Sequence, residues 1–193
     1  MPATMIDKKF IIPDYQTFYL SKEESISPFI HEIAEVGKRL KKPIFSKITG
    51  DVTISMRNGK RLLINAKNSD IKEIKQDDFL EIVDYDPLKN FLLLIGPKEP
   101  RSETPIHWII HNAREDVNAT IQINSNKIAE KLTGKLPSTE KEYPPNTLDQ
   151  IKEILKCLRD SKKVIIKNQG FLFVGRSLKE TEESVLKTLG KLK

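Results

Sequence analysis

Five side chains near the middle of the 193-residue chain carry most of its capacity for chemistry. Glu103, His107 and His111 follow one another at intervals of four, so a helix opened by Thr104-Pro105 sets them on one face. Two histidines at i and i+4 have the spacing of paired helical metal ligands, but no acidic residue lies between them, as a metalloprotease would need. The other two are the carboxamides Gln122 and Asn124 in "NATIQINSNKIAEKL". Strand side chains repeat every second residue, so Thr120, Gln122 and Asn124 share one face while Ile121 and Ile123 take the other. Why two carboxamides should stand together on that face, just ahead of a helix from Ser125, is the question the sequence raises. The whole chain holds three histidines and one cysteine, so metal chemistry must be sparse. Cys157, in "IKEILKCLRD", has no disulfide partner and no histidine nearby in sequence, and reads as a helix residue.

The elements that would position these groups read as follows. Ser27-Pro28 gives an N-cap and first-turn proline to a helix through "FIHEIAEVGKRLKK", which contains His31 as an ordinary surface or packing residue. "DVTISMRNGKRLLIN" is two alternating runs around Asn58-Gly59, a hairpin signal because a tight turn requires positive φ. "DFLEIVD" and "NFLLLIG" are further strands, and the Thr104-Pro105 helix runs to about Asn112, with Trp108 in a core or interface. The proline-rich "TGKLPSTEKEYPPN" is the expected mobile segment. Thr147 with Gln150 and Ser177 with Glu180 are capping boxes opening two more helices. Between those helices lie "KVIIKNQG" and "FLFVG", with Gly170 permitting a tight turn. About seven strands interleaved with four or five helices make a layered α/β domain with strands often antiparallel. Residues 1–26 read as an N-terminal arm or edge strand, and 27–193 as one domain.

Composition excludes several classes. No run of about eighteen apolar residues spans a membrane, and the opening residues do not read as a signal peptide. The net charge of +6 comes from 33 basic and 27 acidic residues that are interspersed, the pattern of solvated helix faces. No aromatic-basic platform or zinc-finger spacing supports nucleic-acid binding. The reading is a cytoplasmic protein whose abundant Lys and Ile would suit a thermophile.

Taken in order, the segments "IAEVGKRLKK", "TGDVTISMR", "RLLINAKN", "PRSETPIHWIIHNAREDVNATIQINS" and "KNQGFLFVGRSLKET" resemble the class II aldolase/adducin family. They stand where that family has its opening helix, G-N-I-S, I-T-P-S-G, P-S-S-E with a helix and A-x-x-H-x-H-S, then N-H-G and G-x-S-L-x-E. The resemblance covers about Ser27 to Gly190. It implies a three-layer α/β/α domain with a central mixed, largely antiparallel sheet. It also implies a catalytic zinc held by three histidines, and a fourfold ring in which neighbouring subunits complete each pocket. Known members include fuculose-phosphate and rhamnulose-phosphate aldolases and ribulose-phosphate 4-epimerase.

The departures are as informative as the matches. The family's three zinc histidines fall on Gln122, Asn124 and Gln169. Neutral amide oxygens replace imidazoles, so the expectation is a degenerate zinc site, no metal and no cofactor. Glu103 falls on the family's acid/base glutamate. The phosphate-binding positions become Gly50, Asp51, Lys67, Asn68, Arg101 and Ser102. Asp51 would repel a phosphate, whereas Lys67 and Arg101 could hold an anion by charge-assisted hydrogen bonds. Alternatively, Asp51 pairs with Arg101 or Lys67 and fills the pocket from within. The family often keeps a histidine near His107 for structural reasons. The resulting expectation leans away from catalysis, toward a pseudoenzyme that binds a small, anionic molecule or serves in assembly as a homo-oligomer. The alternative is a lyase- or epimerase-like enzyme of changed, metal-free or different-metal chemistry, with Glu103 as acid/base.

Overall fold

The structure, a computed structural model, describes residues 15–40 and 51–191. Among the described residues, eight strands form one sheet in the order β1-β5-β4-β3-β2-β6-β8-β7. They are β1 (Gln16–Ser21), β2 (Asp51–Asn58), β3 (Arg61–Asn65), β4 (Phe79–Asp86), β5 (Phe91–Ile95), β6 (Ala119–Asn124), β7 (Lys163–Ile166) and β8 (Gly170–Gly175). β1 runs parallel to β5, and every other pairing is antiparallel. The sheet is therefore mixed and largely antiparallel. Five α-helices among the described residues cover it: α1 (Phe29–Leu40), α2 (Thr104–Ala113), α3 (Asn126–Leu132), α4 (Leu148–Leu158) and α5 (Leu178–Leu189).

The period-two alternation of the central strands sorts residues between two unlike layers. Val52, Ile54 and Met56 of β2, with Ile121 and Ile123 of β6, join α1, α3 and α5 in one continuous apolar core. On the opposite face the apolar side chains form two separate clusters. One packs α4 and part of α2 on β7 and β8, through Ile106, Ile154, Leu158, Leu172 and Val174. The other sets Trp108 on β3, β4 and β5. Between them lies a polar seam. Asp51 pairs with Asn124, Thr53 with Gln122, and Ser55 with Thr120 across β2 and β6. Thr53, Ser55, Thr120 and Gln122 are all buried.

Several local expectations are refined. The first hairpin turns on Gly59 and Lys60, because Asn58 still pairs with Arg61; only Gly59 takes the positive φ, +62°. Residues assigned to an N-terminal arm include β1, which adds an eighth strand to the sheet. At the capping boxes, Thr147 and Ser177 accept from the backbone N–H groups of Gln150 and Glu180. The return bonds are shifted by one residue: Gln150 accepts from the N–H of Asn146, and Glu180 from that of Arg176. The proline-rich loop is stitched to β7 rather than left free, since Thr139 N–H donates to Ile165 O and Ile165 N–H to Pro137 O. Gly170 serves less as a turn than as a close approach. A Cβ there would lie 2.1 Å from the Ile123 carbonyl oxygen, so β8 can meet β6 only through glycine. The turn itself rests on Asn168, with φ +60°.

Candidate functional site

Glu103 stands at the N-cap of α2 but makes no side-chain bond to the helix end. Its carboxylate turns instead to the polar seam, where the Thr53 hydroxyl donates to it and Asn124 Nδ2 donates over 3.2 Å. Ser102 Oγ donates to the other carboxylate oxygen at 3.0 Å, and the Arg101 guanidinium lies 4.0 Å away. Burial by itself would raise the Glu103 carboxyl, but the Thr53 hydroxyl and the Arg101 charge outweigh it and hold it below the usual carboxylate range. The group is an ionised acceptor.

That charge orients its neighbours. Asn124 must present its NH₂ to Glu103, which leaves its oxygen to accept from Gln122 Nε2 at 2.9 Å. The two carboxamides thus form a directed chain ending on the carboxylate. Gln122 Oε1 and His107 Nε2 are both buried and face each other, the imidazole N–H turned toward the amide oxygen. Gln169 is anchored separately. Its oxygen accepts from Gln150 Nε2 at 3.0 Å, while its own NH₂ reaches Tyr143 O at 3.4 Å.

His107 and His111 lie inside the seam and are both buried. Ser55 Oγ bridges them, 2.7 Å from His107 Nδ1 and 3.1 Å from His111 Nε2; the latter nitrogen also lies 3.1 Å from Thr120 Oγ1. Burial pushes the His107 imidazole down to about 4, assisted by the Arg101 charge. Burial, then the neighbouring His107 and Arg57, pushes His111 down to about 3. Both rings are neutral at pH 7, serving as polar filling between β2 and β6. Among the described residues, no three His, Cys, Asp or Glu side chains converge on a point that could hold a metal ion.

Two cavities share Ser102 and Glu103. The larger, about 580 Å³, is lined by Asp51, Lys67, Asn68 and Arg101, and walled by Tyr15 and Tyr19. Its charges are matched within the chain: Arg101 donates to Asp51 at 2.6 Å and to Ser69 Oγ at 3.2 Å, and Lys67 meets Glu99 at 3.0 Å. Arg101 is 2 % exposed. The smaller cavity, about 210 Å³, is lined by Gln122, Asn124, Gln169, Ile106, Pro145 and Asn146 in addition to the shared pair. The structure therefore gathers the sequence-derived site residues around two adjoining spaces. Gly50 lies outside the described residues.

Sequence reasoning missed three contributors. Thr53 and Ser55 were legible from the alternation of "DVTIS", which puts them opposite Val52 and Ile54. Asn146 had no such signal: it sits at the end of the proline-rich loop with a left-handed backbone, φ +61°, and donates from Nδ2 to Ser102 O. The loop's tie to β7 brings it there.

An α/β/α sandwich with a carboxylate at the start of α2, facing the central strand pair, defines a class II aldolase fold. A family model described as the Class II Aldolase and Adducin N-terminal domain matches residues 31–129, half of the chain, and the chain belongs to that family. Among solved structures, an L-fuculose 1-phosphate aldolase is similar with TM-score 0.69 and 19 % identity, over 87 % of this chain and 86 % of that one. A sugar-phosphate aldolase from Thermotoga maritima gives 0.61 at 18 % identity, over 84 % and 92 %. The N-terminal class II aldolase domain of a conserved protein from Thermoplasma acidophilum gives 0.60 at 13 % identity, over 88 % and 96 %. No curated protein matches the chain at significant similarity.

Proposed function

We propose that this protein binds a small molecule at the family's site without zinc and without cleaving a carbon–carbon bond. The observation that carries the reading is the directed chain from Gln122 through Asn124 to Glu103, at 2.9 and 3.2 Å. By resemblance, Gln122, Asn124 and Gln169 occupy the positions of the zinc-binding histidines. An amide nitrogen is a donor with no lone pair to give, and an amide oxygen is a neutral, hard ligand. The oxygens of Asn124 and Gln169 are already taken by Gln122 and Gln150. This donor set does not fit a zinc ion, which in three-ligand sites is held by imidazole, carboxylate or thiolate.

Glu103 supports the same reading. A general base works best with a pKa near the operating pH, and a carboxyl held below its ordinary value is a weak one. In the larger cavity, the buried Arg101 is committed to Asp51 and is not free to orient an anionic substrate, while Lys67 lies in an exposed pair with Glu99. We also infer a homo-oligomer, fourfold as the resemblance implies. Phe18 and Leu20 of edge strand β1 are 59 % and 58 % exposed, an apolar face suited to burial against another copy. Light scattering on the full chain reads that state directly.

The function is tested by incubating untagged protein with L-fuculose 1-phosphate, with and without added zinc. The expected result is no cleavage in either case. Metal-dependent turnover at ordinary enzyme rates would overturn the proposal. Activity abolished by Glu103→Gln without loss of folding would establish the enzyme alternative instead.

A further inference from the structure

We propose that β1 pairs with β1 of a second copy, antiparallel and about a two-fold axis at Phe18, so that two sheets join edge to edge. The inference stands apart from the ligand-binding reading and gives the assembly inferred above one specific contact.

The two outer edges of the sheet are treated differently. Beyond β7 the chain covers its own edge, where Thr139 N–H donates to Ile165 O and Ile165 N–H to Pro137 O. Beyond β1 no strand pairs among the described residues. Backbone groups along a strand alternate sides, and Gln16 N–H donates toward β5, to Asn90 O at 2.9 Å. Thr17 and Tyr19 therefore turn their N–H and C=O groups to the outer edge. β1 lacks the usual defences of a bare edge, with no charged residue and no proline from Gln16 to Ser21.

Apolar surface gathers at this same edge. Among the described residues five large apolar side chains stand exposed, and four of them are Phe18, Leu20, Ile26 and Leu88. Phe18 and Leu20 share one face of β1, and Phe18 rests on Phe91 with ring centroids 5.1 Å apart. Ile26 lies just past the end of β1, and Leu88 lies just before the Asn90 carbonyl that holds Gln16. Together the four expose on the order of 500 Å², which approaches the roughly 800 Å² per partner of a standard interface before any backbone is counted.

Symmetry selects a second copy as the occupant. With Phe18 on the axis, Thr17 meets the partner's Tyr19 in a pair that exchanges both backbone hydrogen bonds, and the symmetric pair does the same. The two Phe18 side chains become a close cross-strand pair, Gln16 faces the partner's Leu20, and along β1 no charge opposes a like charge. Such an isologous contact closes on two copies, so it doubles a ring rather than building one. On the other face of β1, Tyr15, Thr17 and Tyr19 wall the larger cavity. The partner's Tyr19, set opposite Thr17, extends that wall.

The test is light scattering on the full chain, followed by cysteine trapping. Phe18→Arg should halve the native mass, and thermal melts confirm that the variants fold. Phe18→Cys in a Cys157→Ser background should oxidise to a covalent dimer, because the Cα atoms of this facing pair lie about 4.5 Å apart, within disulfide reach. Gln16→Cys in the same background should stay uncrosslinked, its two copies standing about 13 Å apart. A mass left unchanged by Phe18→Arg would overturn the proposal. So would Phe18→Cys that fails to cross-link, or Gln16→Cys that cross-links as readily. If a fourfold particle survives Phe18→Arg, this contact falls while the ring inferred above stands; a monomeric native chain would remove both.

Discussion

The two faces of the central strand pair β2 and β6 are built from alternate residues of the same two strands, yet they solve different problems. On one face Val52, Ile54, Ile121 and Ile123 merge with α1, α3 and α5 into an unbroken apolar core. On the other, Thr53, Ser55, Thr120 and Gln122 meet Glu103, His107 and His111, and the apolar contacts divide to either side. The first face gains stability from removing apolar surface from water, at about 1.5–3 kcal/mol for each fully buried large side chain. The second must satisfy each polar group with a partner, because a buried one left alone costs more than the bond returns. The difference teaches where function can reside: the uniform apolar layer offers no polar recognition, whereas the seam of oriented donors and acceptors ends at two cavities that share Ser102 and Glu103.

Substitutions can break this comparison, beginning with the apolar face. Phe171 is fully buried there and packs edge-on against Phe173, with centroids 5.6 Å apart. Phe171→Ala should cost about 4 kcal/mol, read as a lowered urea midpoint. Acid is the next largest perturbation and, of these two faces, acts on the seam. Unfolded imidazoles take up protons near 6.5, whereas His107 and His111 resist until about 4 and about 3. Between those values the unfolded chain binds more protons, so stability is full above pH 6.5 and falls as pH drops toward 4. For His107 the loss is on the order of 3 kcal/mol. Glu103, lowered below its ordinary value, adds a loss of the same sign at the acid end of that window. A melting-temperature series from pH 7 to 4 checks the slope, and His107→Phe should flatten it.

Ser55→Ala sharpens the comparison at a single atom. It leaves His107 Nδ1 without its partner and removes one of the two contacts of His111 Nε2, and should cost about 2 kcal/mol while removing almost no apolar surface. Thr147→Ala lies outside both faces. It deletes the cap on the N–H of Gln150 and should cost about 1 kcal/mol; because Gln150 also holds Gln169 and Asn146, the smaller cavity should feel it slightly.

Much of this division was legible in the chain. The alternation of "DVTIS" and "ATIQIN" fixes which residues share a face, and the i, i+4, i+8 spacing of Glu103, His107 and His111 places them opposite. Two things were not legible. The Arg101–Asp51 pair joins residues fifty positions apart, and sequence left open whether Arg101 or Lys67 would take that carboxylate. Asn146 sits in a loop whose composition reads as mobile, and bonds to residues distant in sequence, among them Thr139 with Ile165 and Asn146 with Ser102, hold it in place. Periodicity reports faces; it does not report which distant polar groups meet.

The central claim is that carboxamides bonded to one another and to Glu103 have replaced a metal-binding set. Calorimetric titration of zinc into untagged, dialysed protein tests it most directly. The account predicts no saturable site tighter than ~1 mM in the native chain, and one equivalent of zinc gained by the combined Gln122→His, Asn124→His and Gln169→His variant. Stoichiometric zinc bound by the native chain at ~1 μM or tighter, and lost on Asn124→Ala, would contradict it.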